Sequence, residues 1–238
     1  MSFSPAEIEI LSTSGILQDV PHEVVLEAID HCPDCQLCLP PGEIFVHSGQ
    51  IAPGLFIIIN GIIELFVAEA DGNERVLDFA KDGNTLAKET LFSDKALQYS
   101  ARSLTAATVL HLPSKLISEW IARYPAFARR LMSLVAERID FLYKDMLTFR
   151  SKRATSRLVC YLLCHFDKAP RTPDGSYYLR IDSPHFKLAS RLGVSDSQIS
   201  RSFRELQEQG LIVAQDQGFF IPNVPALSKY VCPAGCDF

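Results

Sequence analysis

The residues best suited to contact another molecule lie between Ser195 and Leu206. In this segment Ile199, Phe203 and Leu206 recur at the spacing of one helical face. The opposite face carries six polar side chains, namely Asp196, Ser197, Gln198, Ser200, Arg201 and Arg204. Arginine can bind guanine through two parallel hydrogen bonds, and short polar side chains can reach other base edges in a major groove. We therefore predict that these six residues bind double-stranded DNA.

The flanking residues predict the elements that would position this helix. Ser183 and Pro184 can begin an earlier helix as its N-cap and its first helical residue, and Gly193 suits a tight turn between two helices. Gly210 can end the second helix, and residues 211–221 predict a hairpin. Helix, turn, helix and hairpin is the layout of a winged helix-turn-helix. A polar face alone is typical of any solvated helix, so the turn and the hairpin are what favour DNA binding.

Three cysteines near the N-terminus form a second group that could do chemistry. Cys32, Cys35 and Cys38 are separated by gaps of two residues, which let thiolates converge on one metal. In a reducing compartment we expect thiols or metal ligands rather than structural disulfides. The residues alone leave four interpretations open: an iron–sulfur cluster, zinc, a redox-switching thiol pair, or ordinary surface cysteines. A haem is a further candidate cofactor, and Cys232 and Cys236 are candidate contributors to a metal site.

A long helix is predicted over residues 125–149, because proline is well tolerated in a first helical turn. Its apolar residues follow one another by alternating steps of four and three, the spacing of a coiled-coil seam. After Ala128 the seam consists of Met132, Val135, Ile139, Leu142, Met146 and Phe149. We predict that these six residues form the interface of a homodimer. A helix packed within the core of its own chain is the alternative.

Short β-favouring runs interrupted by glycines fill the segment between residues 39 and 112. The predicted strands are 44–46, 55–59, 62–67, 76–79 and 109–112. Asp71-Gly72 and Asp82-Gly83 are hairpin signals, since glycine accepts a positive φ without a Cβ clash. Many short strands at this spacing predict a small antiparallel barrel or roll. Helical spacing over residues 5–30 precedes it.

Composition and charge narrow the class of protein. The chain has 238 residues, 47% of them hydrophobic, and no apolar run approaches the roughly 18 residues of a membrane span. We expect a cytoplasmic protein with no membrane partner. The net charge is −5, yet residues 150–221 carry +4 and the remainder −9, which suggests that the later segment approaches phosphate. We find no glycine-rich phosphate loop, nucleophile elbow or zinc-protease signature, so we do not expect an enzyme.

Over nearly its whole length the chain resembles the CRP/FNR superfamily of bacterial transcription regulators. The likeness rests on residues 41–49, 55–66, 72–74 and 188–201. It implies an α+β fold: an antiparallel β-roll of the cyclic-nucleotide-binding type over residues 1–124, a dimerisation helix over 125–150, and a C-terminal winged helix-turn-helix over 151–238. It also implies an effector in the roll, a palindromic promoter with half-sites about one DNA turn apart, and RNA polymerase as a partner.

The resemblance departs from the family at the effector pocket. Members that bind cyclic AMP use a Gly-Glu-Leu stretch and an Arg-Ser pair, where this chain has residues 86–90 (Leu-Ala-Lys-Glu-Thr) and 97–99 (Leu-Gln-Tyr). The arginine is missing, so we predict that cyclic AMP is not the effector. Residues 84–94 look more like the branch that responds to nitrogen oxides, which would imply a haem-type sensor. The cysteine group is similar in kind to the cluster-binding cysteines of FNR-type regulators, which would imply a redox or oxygen signal.

The predicted reading helix also departs from its relatives. Many of them have glutamate at the position of Ser197, where it would accept from cytosine N4, so a different half-site is expected at that base pair. A redox metalloprotein built on Cys32, Cys35 and Cys38 is the alternative function. Sequence-specific DNA binding by the metal-free protein would separate the two.

Overall fold

The computed structural model of the chain describes residues 15–30, 32, 35–69, 71–93, 95–150, 153–166, 176–180, 184–215 and 218–230. The fold is α+β, as predicted, and the chain divides into two units, residues 1–137 and 138–238. Residues 5–14 of the predicted first helix, Ser183, Cys232 and Cys236 lie outside the described residues, as does the side chain of Phe149. In the described part of the chain, no helix is long and apolar enough to cross a membrane.

The first unit is built from short antiparallel strands between helices. In chain order its elements are α1 (His22–Asp30), β1 (Gln36–Leu39), β2 (Ile44–Val46), β3 (Gly54–Asn60), β4 (Ile63–Ala68), β5 (Glu74–Ala80), β6 (Thr85–Leu86), a 3-10 turn (Lys88–Thr90), β7 (Ser100–Ser103), β8 (Ala107–Pro113) and α2 (Ser114–Arg123). The strands form two sheets with the orders β1-β8-β3-β6 and β2-β7-β4-β5. The predicted roll is therefore present.

Two apolar clusters hold this unit together. One lies between the two sheets and includes Phe56 and Ile58 of β3 with Ile63 and Leu65 of β4. The other covers the opposite face of the first sheet, where side chains of α2 and of the next helix pack on Leu55, Ile57 and Ile59. Because β3 contributes alternate residues to the two clusters, it is buried on both faces, and this explains its continuous apolar run.

The long helix α3 (Pro125–Arg150) crosses the division between the units. Near its start, Phe127 and Leu131 are fully buried in the second cluster of the roll, and Leu134 packs against that cluster. Met132, Ile139, Leu142 and Met146 lie on other sides of the helix and are 45–65% exposed. One side of α3 is therefore used within the chain, while much of the predicted seam is left uncovered.

The second unit contains a three-helix core and a small sheet. Its further elements are α4 (Ala154–Phe166), β9 (Tyr177–Arg180), α5 (His185–Leu192), α6 (Asp196–Glu208), β10 (Val213–Gln215), β11 (Gly218–Ile221) and α7 (Val224–Ser228). The predicted hairpin consists of β10 and β11. Strand β11 also pairs with β9, so the hairpin is part of a three-stranded sheet with β11 at its centre. Pro184 takes the N-cap position of α5 rather than the first helical position that was predicted.

Candidate nucleic-acid interface and effector region

The first turn of α6 is fixed by the side chains that begin it. Ser195 is the N-cap: its hydroxyl accepts from the backbone N–H of Gln198, and Gln198 Oε1 accepts from the backbone N–H of Ser195 at 2.9 Å. This reciprocal capping box satisfies two donors that a helix start otherwise leaves free. The hydroxyl of Ser197 lies 3.0 Å from that of Ser195. The first turn of α6 is therefore stabilised by contacts within the chain.

This capping box changes what Gln198 can offer to a base. The sequence predicts that Gln198 faces the bases, and the structure shows that its carbonyl oxygen also accepts from the backbone N–H of Ser195. Two-point recognition of adenine needs a donor and an acceptor from the same amide. While the box is closed, one lone pair of that oxygen is engaged, and the NH2 group stays available to donate to base acceptors or to phosphate.

The buried face of α6 is the one that was predicted. Ile199, Phe203 and Leu206 are at most 4% exposed, and Ser202, which the apolar spacing does not reveal, is also buried. All six predicted DNA-binding residues are exposed, on the remaining surface of the helix: Asp196, Ser197, Gln198, Ser200, Arg201 and Arg204. Asp196 is the member of this set whose charge opposes phosphate, and its place in the first turn suits the helix dipole.

The turn before α6 is held by residues from two helices. Gly193 has a φ of +61°, a left-handed conformation in which its backbone N–H bonds back to α5. Arg157 of α4 donates from one guanidinium nitrogen to the carbonyl oxygens of Leu192 and Gly193, each at 3.0 Å. The angle between α5 and α6 is thus set by the glycine conformation and by this external clamp.

An aromatic stack joins the reading helix to the wing. The ring of Phe203 lies between those of His185 in α5 and Phe219 in β11, with centroid distances of 4.9 and 4.8 Å. Thr155 of α4 adds a polar contact by donating to Glu205 of α6 at 2.7 Å. Helix α6 is therefore anchored along its length, with its polar side free to enter a groove about as wide as a helix.

In residues 85–99, the segment that the resemblance aligns with the cyclic-nucleotide pocket, several polar groups form hydrogen bonds with one another. Ala87 has a φ of +64°, and its backbone N–H donates to the hydroxyl of Tyr99 at 3.0 Å. Lys88 is largely buried, and its ammonium donates to the carbonyl and hydroxyl oxygens of Thr85. Leu97 and Tyr99 stand at the two positions where the resemblance would place the phosphate-binding arginine; Leu97 is buried, and the Tyr99 hydroxyl is the group that accepts from Ala87. The side chains of Lys88 and Tyr99 are therefore used within the segment.

The cysteines are arranged differently from the prediction. Cys32 and Cys35 form a disulfide across a tight turn, in which the N–H of Cys35 donates to the carbonyl of Cys32, and their Cα atoms lie 5.3 Å apart. The expectation of thiols is therefore wrong for this pair, because the turn at the end of α1 brings the two sulfurs into bonding range. Cys35 is also buried in the roll, whereas the spacing placed it outside the core.

Cys38 does not join the other two cysteines. It is a free, exposed thiol on β1. Within the described ranges, no group of three or more His, Cys, Asp or Glu side chains could hold a metal ion. In this arrangement Cys32, Cys35 and Cys38 do not fit an iron–sulfur cluster, and the disulfide leaves Cys32 without the thiolate that a haem iron would need. We therefore derive no step through either group.

Comparisons with known proteins agree with both units. The family described as cyclic nucleotide-binding domain matches residues 36–124, and the Crp-like helix-turn-helix domain matches residues 156–230. The regulator Cmr of Mycobacterium tuberculosis is 27% identical over 172 residues, which is 72% of this chain and 66% of that protein. The cyclic-AMP-activated regulator CRP of Salmonella typhimurium is 25% identical over 74% of this chain and 83% of its own. FixK2 from Bradyrhizobium japonicum superposes with a TM-score of 0.72 at 16% identity, covering 84% of this chain and 98% of that one.

Proposed function

The chain belongs to the CRP/FNR superfamily of transcription regulators, which are DNA-binding proteins and not enzymes, and on this basis we propose how it works. We propose that it acts as a homodimer on a palindromic promoter site and is gated by a redox signal rather than by cyclic AMP. RNA polymerase is the further partner we propose, because a promoter-bound regulator acts on transcription. The alternative of a simple redox metalloprotein would leave the winged helix-turn-helix without a purpose.

The observation that carries the DNA-binding proposal is the exposed polar face of α6. Its first turn is capped, its buried face is anchored to α5 and the wing, and its outward side chains include Arg201 and Arg204. Phosphate contacts fix the position of a protein on DNA, and base-edge contacts select the sequence. We assign Arg201, which lies nearer the capped start, to a base and Arg204 to phosphate.

The dimer proposal rests on the uncovered seam of α3. A helix in water normally turns its apolar stripe towards a core, yet Met132, Ile139 and Met146 are 49–65% exposed while Leu131 is fully buried in the roll. The exposed residues keep the four-and-three spacing that lets two helices interlock, and Val135 continues the same line. A second copy of this chain, which carries the same seam, is the occupant we propose.

Replacing Ile139 with Glu tests the dimer. A carboxylate at the centre of the seam would be buried without a partner in the dimer, so the variant should sediment as a monomer. Ser133→Glu is the matched control, because Ser133 is exposed on the same helix and lies off the seam. If both variants and the unmodified chain sediment alike as dimers, the interface lies elsewhere. If the unmodified chain is itself a monomer at micromolar concentration, the dimer proposal is wrong.

The disulfide supports a redox signal. Opening it requires two electrons and two protons from a dithiol reductant, and closing it returns them to a two-electron oxidant. Cys35 is buried against the same cluster that receives Phe127 and Leu131 of α3, so a change at this turn can reach the helix that we propose forms the dimer. The disulfide and the start of the proposed dimer helix thus pack in the same apolar cluster of the first unit.

The redox proposal is tested by DNA affinity in two redox states. We expect the unmodified chain to bind its selected palindrome with different affinities after treatment with dithiothreitol and with diamide. Cys32→Ser/Cys35→Ser should remove that difference, whereas Cys38→Ser, which changes a free exposed thiol, should keep it. A difference that persists in the double variant would exclude this disulfide as the sensor. A response to nitric oxide or oxygen alone would point to a gas signal instead.

A further inference from the structure

A buried ion pair joins α3 to the helix-turn-helix. Arg191 lies in the last turn of α5 and its side chain is 3% exposed, while the Asp145 side chain on α3 is 19% exposed. One guanidinium nitrogen of Arg191 lies 2.8 Å from a carboxylate oxygen of Asp145. Both residues belong to the second unit, so the contact lies within one body of the structure.

Arg191 occupies a position where an apolar residue would be expected. Its neighbours Ala189 and Leu192 are buried, and Leu192 is fully enclosed in the core shared by α4, α5 and α6. A guanidinium in such a place is unfavourable unless a carboxylate compensates its charge. An arrangement that moved α3 away from α5 would separate this ion pair, so the pair favours one placement of these two helices over others.

The position of Asp145 connects this pair to the seam. It lies three residues after Leu142 and one before Met146, on the flank of the exposed stripe. Arg191 lies two residues before Gly193, the turn that leads into α6. A single contact therefore links the flank of the proposed dimer helix to the turn that aims the reading helix.

We propose that Asp145 and Arg191 are positioning residues that set the direction of α6 relative to the dimer helix, and so the spacing of half-sites that the dimer accepts. This inference rests on the proposed homodimer and palindrome. Arg157 holds the same turn from α4, so the turn itself stays intact when the pair is broken. The pair determines where the two reading helices point, and the six exposed residues of α6 determine which bases they bind.

The test measures spacing preference separately from affinity. The proteins are the unmodified chain, Asp145→Asn, Arg191→Met and the double variant. For each we measure the affinity for the selected palindrome, for palindromes with one or two base pairs added or removed at the centre, and for a single half-site. Asp145→Asn should weaken binding to the best palindrome by about twofold to 150-fold, the range typical of coupling between contacting residues. Its preference for one spacer length should flatten, and its half-site binding should not change.

The controls separate positioning from general destabilisation. Glu137→Gln removes a charge from an exposed position of the same helix and should leave the spacing preference intact. If Asp145→Asn leaves Arg191 so poorly compensated that the chain does not fold, the double variant removes both charges, and its spacing preference decides the matter. If a folded variant that lacks the pair still prefers one spacer length as sharply as the unmodified chain, the inference is overturned, even if the melting temperature of that variant is lower.

Failure of the inference differs from failure of the proposed function. If the unmodified chain binds a palindrome no better than a single half-site, the proposed dimeric reading of DNA is wrong, and the inference is wrong with it. If the unmodified chain prefers one spacing and the variants keep that preference, the proposed function stands and the role of Asp145 and Arg191 is overturned.

Discussion

Arg201→Ala is expected to relax sequence preference at one base pair in each half-site. Arg201 lies about one and a half turns after the capped residue Ser195, on the exposed face of α6, so its guanidinium can reach into a groove that admits the helix. A two-point contact between arginine and guanine contributes about 1–3 kcal/mol of discrimination. The dissociation constant for the preferred palindrome should therefore rise by about 5-fold to 150-fold per half-site.

The assay is titration of a selected palindrome and of its single-base variants at several salt concentrations. Arg201→Lys keeps the charge but loses the planar geometry of the guanidinium, so it should lose part of the base preference while weakening overall affinity less than Arg201→Ala. Arg204→Ala is the matched control. As a phosphate contact, it should weaken all sequences about equally and reduce the slope of affinity against salt by roughly one.

One result would refute this reasoning. If Arg201→Ala weakens every palindrome by the same factor and lowers the salt slope, Arg201 contacts phosphate, and the orientation of α6 in the groove is different from the one we propose. If Arg204→Ala shows the base-specific loss instead, the roles of the two arginines are exchanged. Either outcome leaves the capped first turn and the buried face of α6 as described, because those rest on contacts within the chain.

Three further predictions concern stability and the effector. Phe203→Ala should lower the free energy of unfolding by about 3–5 kcal/mol in urea denaturation, because it removes a buried ring stacked on both His185 and Phe219; a loss below about 1 kcal/mol would contradict this packing. Burial lowers the pKa of His111 from 6.5 in the folded chain. Just below pH 6.5 the unfolded chain therefore binds more protons than the folded chain, so the free energy of unfolding should fall as the pH drops through that window. His111→Phe, which keeps a ring on Phe56, should reduce that dependence; an unchanged pH profile would count against it. Calorimetry with cyclic AMP should show no saturable heat at micromolar concentrations, since Leu97 and Tyr99 stand where the phosphate-binding arginine would be expected; a clear isotherm would overturn this interpretation.

Much of the candidate interface could be predicted from local signals. Ser195 followed three residues later by Gln198 is a capping pattern, and Ile199, Phe203 and Leu206 are spaced as one buried face. The structure confirms the buried face that we predicted and adds the capping box, and both depend on residues within one or two turns.

Contacts between residues that are far apart in the chain could not be predicted from the sequence. Strand β7 has the sequence Ser-Ala-Arg-Ser and no apolar alternation, yet Ala101 and Ser103 are fully buried, and Arg102 pairs with the buried Glu64 of β4. Such a strand is recognised by its partners in the sheet, which lie far away in the chain. The pairing of Asp145 with Arg191 is of the same kind, since a lone arginine in a helix gives no sign that it will be enclosed.

The cysteines show which features follow from local spacing and which depend on tertiary structure. Their spacing allows neighbouring cysteines to come close together, and the structure joins Cys32 and Cys35 in a disulfide. Whether Cys38 joins them depends on the direction of β1, which pairs with β8 and holds that side chain on an exposed surface. The sequence by itself therefore determined the two faces of the reading helix and the apolar spacing of the seam. The sheet pairing, the buried charges and the separation of Cys38 were decided by tertiary structure, because each depends on which distant residues the folded chain places side by side.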